Sequence, residues 1–184
     1  MKKYKSNFKD YIQDLGKREP SPGGGSAVCV AFCMGVSLIE KAVNYSINLK
    51  KNDKKTITQN KRLKITSIEL HNLKKIVFPY IDKDGYIFEK IMKTKGEKKE
   101  QFIKQSESII YDVATACENM FSLAKKIESG IKKSIESDFI IGLELVRTAL
   151  LGCILNLEAN SKIFGKKNKS INKLKKSLNK WQKY

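Results

Sequence analysis

The sequence predicts an all-α protein, a single-domain bundle of about six to seven antiparallel helices, from three observations. Apolar residues recur at spacings of three and four along nearly the whole chain. No stretch alternates apolar and polar residues as a half-buried strand does. Prolines and glycines such as Pro20, Pro79, Gly130 and Gly165 fall where the periodic runs stop.

Each run has its own stop signal. From Lys3 to Leu15 the residues Tyr4, Phe8, Tyr11, Ile12 and Leu15 form an amphipathic stripe that ends before Pro20. Ser26 to about Leu49 reads as a second helix, in which Ala27, Ala31 and Gly35 repeat every four positions and invite close approach by a neighbour. The polar run KKNDKKT from Lys50 to Thr56 interrupts it. Leu63, Ile65, Ile68, Leu70, Leu73, Ile76 and Val77 then mark a third helix, which Pro79 ends or kinks. Ile81 to Met92 is a shorter helix, and TKGEKKE from Thr94 to Glu100 reads as a loop. A long helix follows, from Phe102 through Val113 and Met120 to a stop at Gly130. Ser137 to about Ile163 is the most apolar helix, and Ile171, Leu174, Leu178 and Trp181 mark a last amphipathic one amid lysines.

At 184 residues the chain reads as one domain, 1–184, large enough to bury a core without disulfides or metal. Cys29, Cys33, Cys117 and Cys153 all lie in apolar helical runs and read as reduced core residues. The i, i+4 pair Cys29 and Cys33 lacks two further ligands for zinc, since His71 is the single histidine. The basic start MKKYKSNFKD has no apolar segment of a secretory signal, so a cytoplasmic location is expected. Ala27 to Ile39 covers about four helical turns before Glu40 and Lys41, short of the roughly 20 residues of a membrane span. The net charge of +18 favours anionic partners: nucleic acid, anionic lipid or a polycarboxylate. No helix-turn-helix, zinc or RNA-binding signature supports the nucleic-acid option.

The segment Glu19 to Val28, EPSPGGGSAV, carries the strongest local signal. Gly23, Gly24 and Gly25 lead straight into a helix N-terminus, where free N–H groups and the positive end of the helix dipole form an anion and substrate cradle. It is not a P-loop, because no lysine follows in the required spacing. The competing reading is a tight connection with Ser26 as N-cap. Asp82 and Asp84 sit two residues apart near a helix start and point in different directions, so at most one serves as acid or base in a given cleft. Ser137 and Asp138 fit either a site or a plain N-cap. Asn156 and Asn160 share one face of an apolar helix and need partners or a polar ligand there, as does Arg147.

Taken together, PSPGGGS followed by a small-residue helix, IDKDGYIFEKIM, and SDFIIGLELVRTALLGCILNLEAN resemble the cyclodeaminase/cyclohydrolase family of folate enzymes. That family includes formimidoyltetrahydrofolate cyclodeaminases, alone or fused to a formiminotransferase, and methenyltetrahydrofolate cyclohydrolases. The second segment is similar to the family's D-x-D-A-x-x-F stretch and the third to its S-D-x-x-x-A helix ending in N-x-x-x-N. The resemblance covers most of the chain and implies a helical homodimer with a folate cleft. Gly23, Gly24, Gly25 and Ser26 would line it, Asp82 would be the catalytic aspartate, and Ser137, Asp138 and Asn156 would contribute to the same cleft. The implied reaction closes formimidoyltetrahydrofolate to methenyltetrahydrofolate with release of ammonia, with the cyclohydrolase reaction as the alternative and a non-catalytic relative as a third reading. No metal or cofactor is implied beyond the tetrahydrofolate substrate, whose polyglutamylated forms would suit the basic tail after Glu158. The chain departs from the family at Gly85, where alanine is usual, at the bulkier Val28, Val30, Phe32 and Met34, and in a slightly longer third helix.

Overall fold

In the computed structural model the described residues are 8–48, 53–165, 168 and 170–181. Two long apolar helices form the centre, α2 (Gly24–Ser46) and α6 (Glu136–Phe164). They run antiparallel, with Gly35 against Gly142, Val28 against Gly152, and Gly24 against Asn156. Glycine is needed at the crossing: a Cβ on Gly35 would stand 2.6 Å from the Gly142 carbonyl oxygen, and one on Gly142 2.7 Å from that of Gly35. Of the predicted small-residue stripe it is therefore Gly35 that makes the close approach, while Ala27 and Ala31 stay half-buried.

The other helices pack around this pair. Helix α1 (Phe8–Leu15) buries Tyr11. Helix α3 (Lys54–Val77) is capped by Asp53, which accepts the Thr56 N–H at 3.0 Å, and packs on α2. Helix α4 (Tyr80–Lys93) follows directly after Phe78 and Pro79 and lies on α2 and α5 (Gly96–Ile127). Helix α5 ends in a 3-10 turn at Glu128–Gly130, held by the Gln59 amide donating to the Gly130 carbonyl at 3.1 Å. After α6 closes on the left-handed Gly165, α7 (Ser170–Lys180) buries Leu174 and is followed by Trp181, which stacks on Phe121 at 4.7 Å. No strand occurs among the described residues, and the all-α expectation holds. All four cysteines are free and buried, and burial raises their thiols, to about 12 for Cys33 and Cys153, so they are packing residues.

Several boundaries differ from expectation. TKGEKKE is not a loop throughout: α5 already begins at Gly96, and its charged first turn is a solvated helix face with Glu97 at the favourable dipole end. Helix α2 starts at Gly24, two residues early, and reaches Ser46, while α3 starts at Lys54 within the predicted break. The predicted helical positions Lys3 to Asn7, Leu49, and residues 50–52 lie outside the described residues. Helices α2 and α6 are each long and apolar enough to cross a membrane, because Glu40 and Lys41 interrupt α2 without ending it. Here they are the core pair, and about half of each apolar window is buried inside the bundle.

Candidate functional site

The glycine end of α2 is built by three helices. The turn after Pro20 contains a cis Ser21–Pro22 peptide and delivers Gly23 to the N-cap position, so Gly24, Gly25 and Ser26 form the first helical turn. Ser26 is therefore not the N-cap. Its hydroxyl is wholly buried, donates to the Ile81 carbonyl at 2.7 Å, and lies 3.3 Å from the Tyr11 hydroxyl. The Asp84 carboxyl reaches in from α4 to the same turn and fills the space beside Gly25. Burial raises the Asp84 pKa above the usual carboxylate range, and the Ser26 N–H offsets part of the rise. Burial likewise raises the Tyr11 phenol.

The three glycines differ in why they are glycine. A Cβ on Gly25 would stand 2.4 Å from Asp84 Oδ1, so the carboxyl occupies the side-chain space and Gly25 is required by the fold. A Cβ on Gly24 would meet Asn156 Oδ1 at 3.5 Å, and one on Gly23 the Pro20 carbonyl at 3.8 Å, both ordinary contacts. Neither has a positive φ. Each costs about 0.5–1 kcal/mol relative to alanine within a regular element, and the fold itself does not ask for it. What they leave open is the exposed backbone at the positive end of α2.

Asp82 is buried, 8 % exposed, in the first turn of α4. It lies about 200° around the helix from Asp84. Between them Gly85 faces the turn, and a Cβ there would fall 1.9 Å from Ser21 Oγ. That contact accounts for glycine where the family has alanine: the Ser21 hydroxyl fills the methyl's place. Asp84 was legible in the sequence only as the second of two acid or base candidates, and Tyr11 read simply as an apolar position.

Asn156 joins the glycine end, but Ser137 and Asp138 do not. Helix α6 begins at Glu136 with Ile135 at the cap position, so neither residue is its N-cap. Asp138 pairs with Lys41 at 2.6 Å, and Ser137 is exposed. Lys41 is 15 residues beyond Ser26 on α2, about 22 Å along its axis. A largely apolar groove of about 690 Å³ spans that distance, from Tyr11 and Ile81 past Val30, Met34 and Leu38 to Lys41. At one end its lining residues Tyr11 and Ile81 touch Ser26, and at the other Lys41 pairs with Asp138. Arg147 pairs with Glu144 on its own helix at 2.9 Å, and the exposed His71 lines a side pocket with Lys74 and Lys75. A separate groove of about 700 Å³, lined by Lys54, Lys55, Arg62 and Lys126, lies between α3 and α5. Among the described residues no three His, Cys, Asp or Glu side chains gather as a metal-ligand set.

The formiminotransferase-cyclodeaminase family model matches residues 7–180, nearly the whole chain. The chain belongs to that family. The formiminotetrahydrofolate cyclodeaminase of Thermotoga maritima has the same helical fold, with a TM-score of 0.78 over 95 % of this chain and 87 % of that one. The two sequences are 20 % identical, so the likeness carries the architecture alone. No curated protein matches the chain. Family membership supports a folate cyclodeaminase-type function.

Proposed function

We propose that the protein closes formimidoyltetrahydrofolate to methenyltetrahydrofolate and releases ammonia, with the one-carbon end of the substrate at Gly24 and Asp82 as the proton-handling group. The observation that carries this reading is the pair Gly23 and Gly24, glycines that nothing in the fold requires, at a turn packed against α4, which carries the half-buried Asp84 on Gly25 and the buried Asp82 in its first turn. In the reaction the nitrogen on the aminobenzoyl side attacks the formimidoyl carbon. With the formimidoyl group entering as its protonated amidinium, the new C–N bond gives a tetrahedral centre, the attacking nitrogen gives up a proton, the NH2 group takes one, and the C–N bond breaks to release ammonia and leave the methenyl cation. One carboxyl in a partly apolar setting serves both transfers. The Gly24 amide and the α2 dipole favour electron density developing at the centre, and Asn156 stands beside them with an amide that can donate or accept.

The groove from Tyr11 to Lys41 suits the flat, elongated body of a folate, and a folate lying along it would have Asp138, through its partner Lys41, and the neighbouring Ser137 near its far end. No group besides the folate is needed for the chemistry. The lysines of α7, of which Lys175 pairs with Glu158 on α6, would favour polyglutamylated substrate through their positive field. The exposed Ile140, Ile141, Leu151 and Leu155 on α6 are the face expected to meet a second copy in a cytoplasmic homodimer. Methenyltetrahydrofolate cyclohydrolase is the alternative, because water adding to the methenyl carbon gives a nearly identical tetrahedral centre. Supplying the purified protein with each substrate separates the two. The proposal expects methenyl absorbance to grow, with equal release of ammonia, from the formimidoyl compound. Loss of absorbance from methenyltetrahydrofolate without turnover of the other substrate would make it a cyclohydrolase, and no change with either would remove both.

A further inference from the structure

Asp84 has no part in the proton transfers above, yet its carboxyl is seated against the glycine segment itself. We propose that Asp84 is a positioning residue of the site: it closes the first turn of α2 from outside and thereby sets the depth and register of the glycine segment against Asp82. The proposal rests on the folate reading of the same cluster. Two contacts carry it. The Ser26 hydroxyl donates to the Ile81 carbonyl at 2.7 Å, and Gly25 leaves the Asp84 carboxyl the space in which any side chain would collide at 2.4 Å.

The glycine turn is thus held to α4 at two points, the Ser26 hydroxyl on the Ile81 carbonyl and Gly25 against the Asp84 carboxyl. Asp82 lies between those two anchor points in the chain. A shift of α4 against the glycine turn would move Asp82 relative to Gly24, and displacements of about 1 Å in such constellations cost about a hundredfold in rate. The task needs an acceptor oxygen rather than a charge or a mobile proton. Asparagine supplies that oxygen, as it does at helix N-caps, and alanine does not.

The test compares wild type, Asp84→Asn and Asp84→Ala in two readouts: kcat and KM with formimidoyltetrahydrofolate, and exchange of the Ser26 amide followed by NMR. Asp84→Ala should lower kcat by about a hundredfold with a much smaller change in KM, and speed Ser26 exchange by about tenfold or more. Asp84→Asn should stay near wild type in both and keep the wild-type limbs of the pH–rate profile. A contribution to stability alone would leave kcat of the folded variants unchanged. If Asp84→Ala does not fold, Gly25→Ala pushes the carboxyl aside with Asp84 intact, and the same losses are expected. Asp84→Asn as slow as Asp84→Ala would overturn the proposal, as would a folded Asp84→Ala with wild-type kcat and Ser26 exchange. If wild type turns over neither folate, the functional reading has failed, and the exchange measurement still decides whether Asp84 sets the segment.

Discussion

At the level of single residues, the two α4 carboxyls separate by environment. Asp82→Asn should leave the fold and folate affinity intact and lower turnover by roughly two to four orders of magnitude, the range for a lost general acid or base. Unchanged turnover in the folded variant would take Asp82 out of the chemistry. Asp84 makes a different prediction, on stability. Its pKa is raised in the fold by burial, so its stabilising contribution is present at acid pH and lost as pH rises through that raised value. The neighbouring Tyr11 and Cys29 are also raised by burial, so both stay neutral over the same range. Asp84→Asn should therefore unfold at higher temperature than wild type at pH 8, and the advantage should vanish as pH falls to about 4, where the unfolded carboxyl is itself half protonated. A difference that grows toward acid would contradict this. Neither environment was readable in the sequence, because two carboxylates two residues apart look alike until the glycine turn is laid over one of them.

At the level of helices, the α2–α6 contact is the joint that aligns the site. The Gly35–Gly142 approach brings two backbones together, and no side chain can yield to make room. Gly142→Ala should cost about 1–3 kcal/mol of stability, typical of overpacking, and show it as a lower midpoint in chemical denaturation. A neutral result would mean that the helices slide apart freely. Helix number, order and most stops were legible in the spacing of apolar residues and in Pro20, Pro79, Gly130 and Gly165. What escaped were starts: Gly24 and Gly96 open helices although glycine reads as a break, since a helix's first turn tolerates it. The three family motifs were legible as motifs, but their spatial grouping was not. Asn156 meets Gly24 because α6 runs antiparallel to α2, and the same fact carries Ser137 and Asp138 to the opposite end.

At the level of the whole molecule, the apolar face of α6 and the glycine end make independent claims. If Ile140, Ile141, Leu151 and Leu155 face a second copy, sedimentation should give twice the chain mass for wild type, and Leu155→Lys should shift it to the single chain. A monomeric wild type would leave that face without the occupant expected of it. The central claim, that folate chemistry takes place at Gly24, is tested most directly by calorimetric titration of a stable folate, 5-formyltetrahydrofolate, into wild type and Gly24→Val. The substituted position is exposed, so helix content should be kept. The account predicts saturable binding to wild type and none measurable in the folded variant; equal affinity in both would place the ligand elsewhere and contradict it.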